Sequence, residues 1–210
     1  GGSLPFYVDC TGKLQPENRL VVVVDNTRRK EQIPAENFGW FNYGGIFRGV
    51  ELLRLPPRFI RDFSLQLEPG SDYSRLICRV ELNSTEEESE PLKLRIPDLG
   101  IEVSLPVMDG RVEATIPAAP ELWSPESPRL YRVEAEWRDD RISDEIGFRE
   151  ISVAGRDILL NGKKIFLKGV CCHEESVRNG RTLTTEELTE NLLLAREMGC
   201  NYIRLTHYPH

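Results

Sequence analysis

The sequence has no excess of positive charge. Lys and Arg number 27 against 34 Asp and Glu, giving a formal net charge of -7 and a pI near 5.2. Nucleic-acid binders usually present a basic face, so this balance argues against a nucleic-acid partner. No stretch approaches the roughly 18 consecutive apolar residues of a membrane-spanning helix. No charged start leads into an apolar run at the N-terminus, so no signal peptide is visible. Cysteines are few and odd in number: Cys10, Cys78, Cys171, Cys172 and Cys200. Their irregular spacing argues against a disulfide framework. No internal repeat or low-complexity segment is evident. What is present is an ordinary globular balance, 40% hydrophobic and 29% charged, enough to build a core.

Three regions follow from the patterning. Residues 1–59 read as β. Arg19-Leu-Val-Val-Val-Val24 is continuous and β-branched, as in a strand buried on both faces. Gly49-Val-Glu-Leu-Leu-Arg-Leu55 alternates in part and ends at Pro56-Pro57. Between them, Phe38-Gly-Trp-Phe-Asn-Tyr-Gly-Gly-Ile-Phe-Arg48 is rich in aromatic residues and glycine, a composition shared by sugar-binding surfaces and by plain domain junctions. Residues 60–150 carry period-two runs at 60–67, 75–82, 92–96, 101–105, 112–116 and 131–137, punctuated by Pro, Gly, Asn and Asp. About seven such strands in this length predict an immunoglobulin-like β-sandwich without its disulfide.

Residues 151–210 change character. Lys164-Ile-Phe-Leu-Lys-Gly-Val170 reads as a buried strand, followed by a loop from Cys171 to Leu183. Thr184-Thr-Glu-Glu187 has the form of a capping box. Leu188, Leu192 and Ala195 then share one helical face, and Gly199 supplies a stop. Asn201-Tyr-Ile-Arg-Leu-Thr206 is the next strand. Strand, helix, strand predicts a parallel pair with a right-handed crossover.

All three histidines fall in this last region. His173 follows the first parallel strand and His207 the second. Residues just past the carboxyl ends of parallel strands line the active sites of α/β sheets and barrels. The two histidines are therefore candidates to face one cavity; packing at the rim is the plain alternative. Arg204 lies within the second strand, where it either meets carboxylates on neighbouring strands or faces outward. Cys171-Cys172-His173-Glu174 invites a metal or thiol reading. Adjacent strand residues point to opposite sides, which keeps the two sulfurs apart, and no second Cys pair stands at metal-site spacing. No metal and no cofactor is expected. Glu174 and Glu175 are neighbours, whereas retaining glycoside hydrolysis needs two carboxylates facing each other roughly 5–5.5 Å apart. One of the two is read as a surface or supporting acid.

These residues also carry a resemblance. Asn161-Gly-Lys-Lys-Ile-Phe-Leu-Lys-Gly-Val170 followed by Cys172-His-Glu174 resembles the opening of the barrel in glycoside hydrolase family 2, the β-galactosidase/β-glucuronidase family. Asn201-Tyr-Ile-Arg-Leu-Thr-His-Tyr-Pro209 is similar to that family's second-strand signature, and Phe41-Asn-Tyr-Gly-Gly-Ile-Phe-Arg48 to the closing part of its sugar-binding domain. The resemblance implies an internal fragment that is mainly β with a C-terminal α/β part. Its expected domains are a jelly-roll remnant at 1–59, the immunoglobulin-like sandwich at 60–150, and the first βαβ unit of a (β/α)8 barrel at 151–210.

The implied activity of the parent protein is hydrolysis of a terminal β-linked sugar with retention. The implied partner is a β-glycoside carbohydrate, and homo-oligomerisation is left open. Family roles carried over place His173 and His207 against sugar hydroxyls, with Arg204 supporting the carboxylates. The family's acid/base is a Glu preceded by Asn, a dipeptide that these 210 residues do not contain. Both catalytic glutamates are thus expected to be missing, and the chain to be inactive alone. Cys171-Cys172 stands where many members have Asn-Arg, and Thr206 where Ser is more usual. The bland rival is a non-catalytic carbohydrate-binding or scaffolding module.

Overall fold

The computed structural model describes residues 5–31, 35–36, 39, 43–84 and 90–206. The chain divides into two compact units: Leu52–Phe166, and Gly1–Glu51 with Leu167–His210. The described residues are mostly β, with one α-helix and a single 3₁₀ turn.

The first unit holds seven antiparallel strands in two sheets. β1 (Ile60–Leu67), β2 (Arg75–Leu82) and β5 (Arg111–Pro117) form one sheet in the order β1-β2-β5. β3 (Leu92–Ile96), β4 (Ile101–Leu105), β6 (Tyr131–Trp137) and β7 (Asp140–Ile146) form the other in the order β4-β3-β6-β7. Alternation decides the inner faces. Leu76, Cys78, Val80 and Leu82 of β2 are buried, as are Leu92, Leu94 and Ile96 of β3 and Tyr131, Val133, Ala135 and Trp137 of β6. In β1 the buried set changes parity from Ile60 to Leu65 and Leu67, and a bulge between Ile60 and Asp62 accounts for it. Trp137 is fully buried, and its indole N–H donates to the Glu90 carbonyl at 3.3 Å.

β7 was not resolved by the sequence pattern, although the count of seven strands was. It is an edge strand, pairing with β6 alone, and none of its residues is fully buried. Asp, Arg, Ser and Glu therefore occupy it freely, and the alternation is weak.

Three short strands, β8 (Ile151–Ala154), β9 (Asp157–Leu160) and β10 (Lys163–Ile165), form an antiparallel meander in the same unit. The β9–β10 turn is Asn161-Gly162, with φ of 50° and 72°. Both central residues of a two-residue hairpin of this hand need positive φ, which explains Asn-Gly there. The Asn161 side chain accepts from the Glu150 amide at 3.0 Å and donates to the Trp123 carbonyl at 3.0 Å, tying the turn to the end of the sandwich segment.

In the second unit, β11 (Gly169–His173) and β12 (Tyr202–Thr206) pair in parallel around α1 (Thr185–Glu197). The capping box forms as expected: the Glu187 amide donates to Thr184 Oγ1, and Glu187 reaches back to the Thr184 amide. Gly199, at φ 77°, ends the helix in the left-handed conformation. The inward side of α1 runs through Leu188 and Asn191 to buried Ala195, whereas Leu192 is 47% exposed.

Two expectations need correction. The apolar run 164–170 is not one strand. Lys163–Ile165 hydrogen-bonds antiparallel to β9, Gly169–His173 parallel to β12, and the chain between them changes partner with Phe166 exposed. Nor do residues 19–24 or 49–55 form strands. A strand is defined by its hydrogen-bonded neighbour, and none accompanies either run among the described residues.

Candidate functional site

The parallel pair begins at a fixed register. The Lys168 amide donates to Asn201 Oδ1 at 2.8 Å, and the Asn201 amide donates to the Lys168 carbonyl at 2.9 Å. One step on, Gly169 faces Tyr202 so closely that a Cβ there would lie 2.3 Å from the Tyr202 carbonyl oxygen. Only glycine fits. At the far end, Thr206 is 2% exposed and its hydroxyl donates to the Cys172 carbonyl at 3.2 Å.

This register sets the faces. Cys171 lies opposite Arg204 and His173 opposite Thr206. In β11, Cys171 and His173 are exposed and Cys172 between them is half-buried, so the two sulfurs lie on opposite faces. Arg204 Nη1 stands 3.9 Å from Cys171 Sγ on the same face as His173. His173 is the last residue of β11 rather than a loop residue beyond it. His207 lies outside the described residues. The described residues hold no group of three His, Cys, Asp or Glu arranged to bind a metal.

The loop after β11 is strapped at successive positions. Glu174 forms an ion pair with Arg48. Glu175 pairs with Arg181, whose side chain is largely covered. Ser176 and Gly180 close a small antiparallel bridge. Ser176 Oγ donates to Glu187 Oε1 at 2.5 Å, and Asn179 Nδ2 donates to Glu187 Oε2 at 3.0 Å. The Ser176 hydroxyl, then the Thr184 amide, hold the Glu187 carboxyl below its usual range. The capping glutamate of α1 therefore also anchors the loop that leaves His173. Sequence reading found the capping box but not these straps. The link from Arg48 to Glu174 spans 126 residues and leaves no periodic signal.

The family model described as glycosyl hydrolases family 2 matches residues 59–149, and that family's TIM barrel domain matches 151–210. The chain belongs to glycosyl hydrolase family 2. One relative, a putative β-glucuronidase from Formosa agariphila, is 26% identical over the whole chain. A β-galactosidase from Arthrobacter sp. (strain B7) is 31% identical, also over the whole chain. The chain spans only 27% and 20% of those two proteins. Among solved structures, a family 2 β-galacturonidase from Eisenbergiella tayi bound to galacturonate matches 89% of this chain and 35% of its own, with 32% identity and a TM-score of 0.70. A β-glucuronidase from Faecalibacterium prausnitzii matches 83% of this chain and 28% of its own, with 28% identity and a TM-score of 0.68. The match to the barrel domain of family 2 begins at residue 151, inside the compact unit that ends at Phe166.

Proposed function

We propose that this chain is part of a retaining β-glycosidase that removes a terminal β-linked sugar, of the galactoside or glucuronide type. In this reading residues 1–59 close a sugar-binding jelly roll and 60–150 are the immunoglobulin-like domain. Residues 151–210 open the catalytic barrel, with β11-α1-β12 as its first βαβ unit. The observation that carries the proposal is the placement of His173 and Arg204 on one face of two adjacent parallel strands, towards their carboxyl ends, in a chain matched by family 2. Side chains at that end of a barrel sheet face the substrate.

The chemistry of this reading is that of a retaining glycosidase. One carboxylic acid protonates the departing glycosidic oxygen while a second carboxylate attacks the anomeric carbon. Water then releases the glycosyl-enzyme, with the first residue acting as base. Both carboxylates then lie on later barrel strands of a longer protein. His173 and His207 bind sugar hydroxyls as charge develops on the ring, and Arg204 steadies the carboxylates.

The test uses the full-length protein on 4-nitrophenyl β-glycosides. Replacing His173 or His207 with Ala is expected to lower kcat on the order of 10²-fold, as loss of one group aimed at developing charge does, with the melting temperature nearly unchanged. A variant as fast as the wild type removes that histidine from the site. A wild type that binds sugar without turnover identifies a carbohydrate-binding module instead.

A further inference from the structure

We infer that Arg48 is a positioning residue for the proposed sugar site: it fixes Glu174, and through it the end of β11 that carries His173. The inference rests on the glycosidase reading above. Glu174 directly follows His173, and its side chain is only 15% exposed while that of Arg48 is 43% exposed. A carboxylate so covered keeps its charge at modest cost only beside a cation. Arg48 supplies one from a segment far away in sequence, with its guanidinium 5.9 Å from the Phe47 ring centre.

The segment is shaped to deliver it. Gly45 takes φ 97°, a conformation closed to most side chains. A Cβ on Gly44 would meet the Asn26 side chain at 3.2 Å. The two glycines let the backbone bend and pack where Arg48 needs it. The next acid is drawn elsewhere, since Glu175 pairs with Arg181. Two consecutive acids leaving the strand are thus each held by a different guanidinium. With Ser176 and Asn179 bound to Glu187, the backbone after His173 is tied at four positions. Arg48 is a strap that comes from outside the strand-helix-strand segment itself. A group that meets the transition state must be held to a fraction of an ångström, and supports of this kind do that.

The experiment measures kcat and KM of the full-length protein on 4-nitrophenyl β-D-glucuronide, β-D-galacturonide and β-D-galactoside, with melting temperatures in parallel. Variants are Arg48→Gln, Arg48→Lys, Glu174→Gln and the exchange Arg48→Glu with Glu174→Lys. Arg48→Gln is expected to lower kcat by on the order of 10²-fold, the cost of a misplacement near 1 Å, while KM moves far less and the melting temperature holds. Arg48→Lys and the exchange recover part of the loss. A kcat unchanged in Arg48→Gln overturns the inference. So does a loss that tracks a fall in melting temperature and that neither Lys nor the exchange restores, because the pair is then merely structural. A wild type inactive on all three substrates overturns the glycosidase reading, and the positioning role with it.

Discussion

The five cysteines show how environment divides one residue type. Cys78 sits in the middle of β2 with no exposed surface, and burial alone pushes its thiol up to about 11. Cys171 is exposed on β11, and none of the five is in a disulfide. The folded chain therefore holds the Cys78 proton more tightly than the unfolded chain does. That contribution to stability is intact below the ordinary thiol value near 9 and is lost as pH climbs through about 11. Iodoacetamide at pH 8 is expected to label Cys171 and to spare Cys78 until the sandwich unfolds. Peptide mapping by mass spectrometry reads this directly, and rapid native labelling of Cys78 would contradict the burial. Denaturant titrations from pH 8 to 11 should show a loss of stability that Cys78→Ala reduces.

At the level of elements, the most instructive is the β9–β10 turn. Asn161 serves it twice, by accepting a left-handed φ of 50° and by bridging the Glu150 amide and the Trp123 carbonyl. Asn161→Ala loses both, and is expected to destabilise the unit by about 1–3 kcal/mol, the range for stranded polar groups. Asn161→Gly keeps the backbone freedom and loses only the bridge, so it should fall between Ala and wild type. Equal stability of all three would mean the bridge contributes nothing.

The same elements show what a sequence makes legible. The inner strands of the sandwich were readable because one face is buried and the other wet, which writes a period of two. The helix was readable because Thr184 and Glu187 cap it through local bonds. Asn-Gly at 161–162 belongs to the segment that carries the family resemblance, while its physical role as a turn appears only in the dihedrals. The runs at 19–24 and 164–170 misled because a continuous apolar stretch says nothing about which neighbour it pairs with. Among the site residues, strand-helix-strand order put His173 at the end of a parallel strand, whereas the face that Arg204 shares with it depends on the register and appears only in the structure. The Arg48–Glu174 link did not, since a contact between residues so distant has no local signature.

On the scale of the whole molecule, burial is distributed unevenly. The continuous core draws its fully buried side chains from Ile60 to Phe148, all within the unit Leu52–Phe166. In the other unit the fully buried described residues are Ala195 and Thr206. Phe6, Val8, Leu20 and Val23 are at least 70% exposed, and Leu192, Leu193 and Leu194 of α1 are each more than 40% exposed. β11 and β12 form a two-stranded parallel sheet, an arrangement that normally lies between covering layers. Local stability follows buried apolar contact, so the two units should differ widely in resistance to opening. Brief digestion of the 210-residue chain with thermolysin is expected to cut first within 5–31 and around 174–200, leaving a resistant piece close to 52–166. Urea unfolding followed by tryptophan fluorescence, which senses buried Trp137, should then give the same midpoint for that piece as for the whole chain. Equal protease resistance across both units, or a lower midpoint for the isolated piece, would show that residues 1–51 and 167–210 lend the sandwich stability beyond its own core.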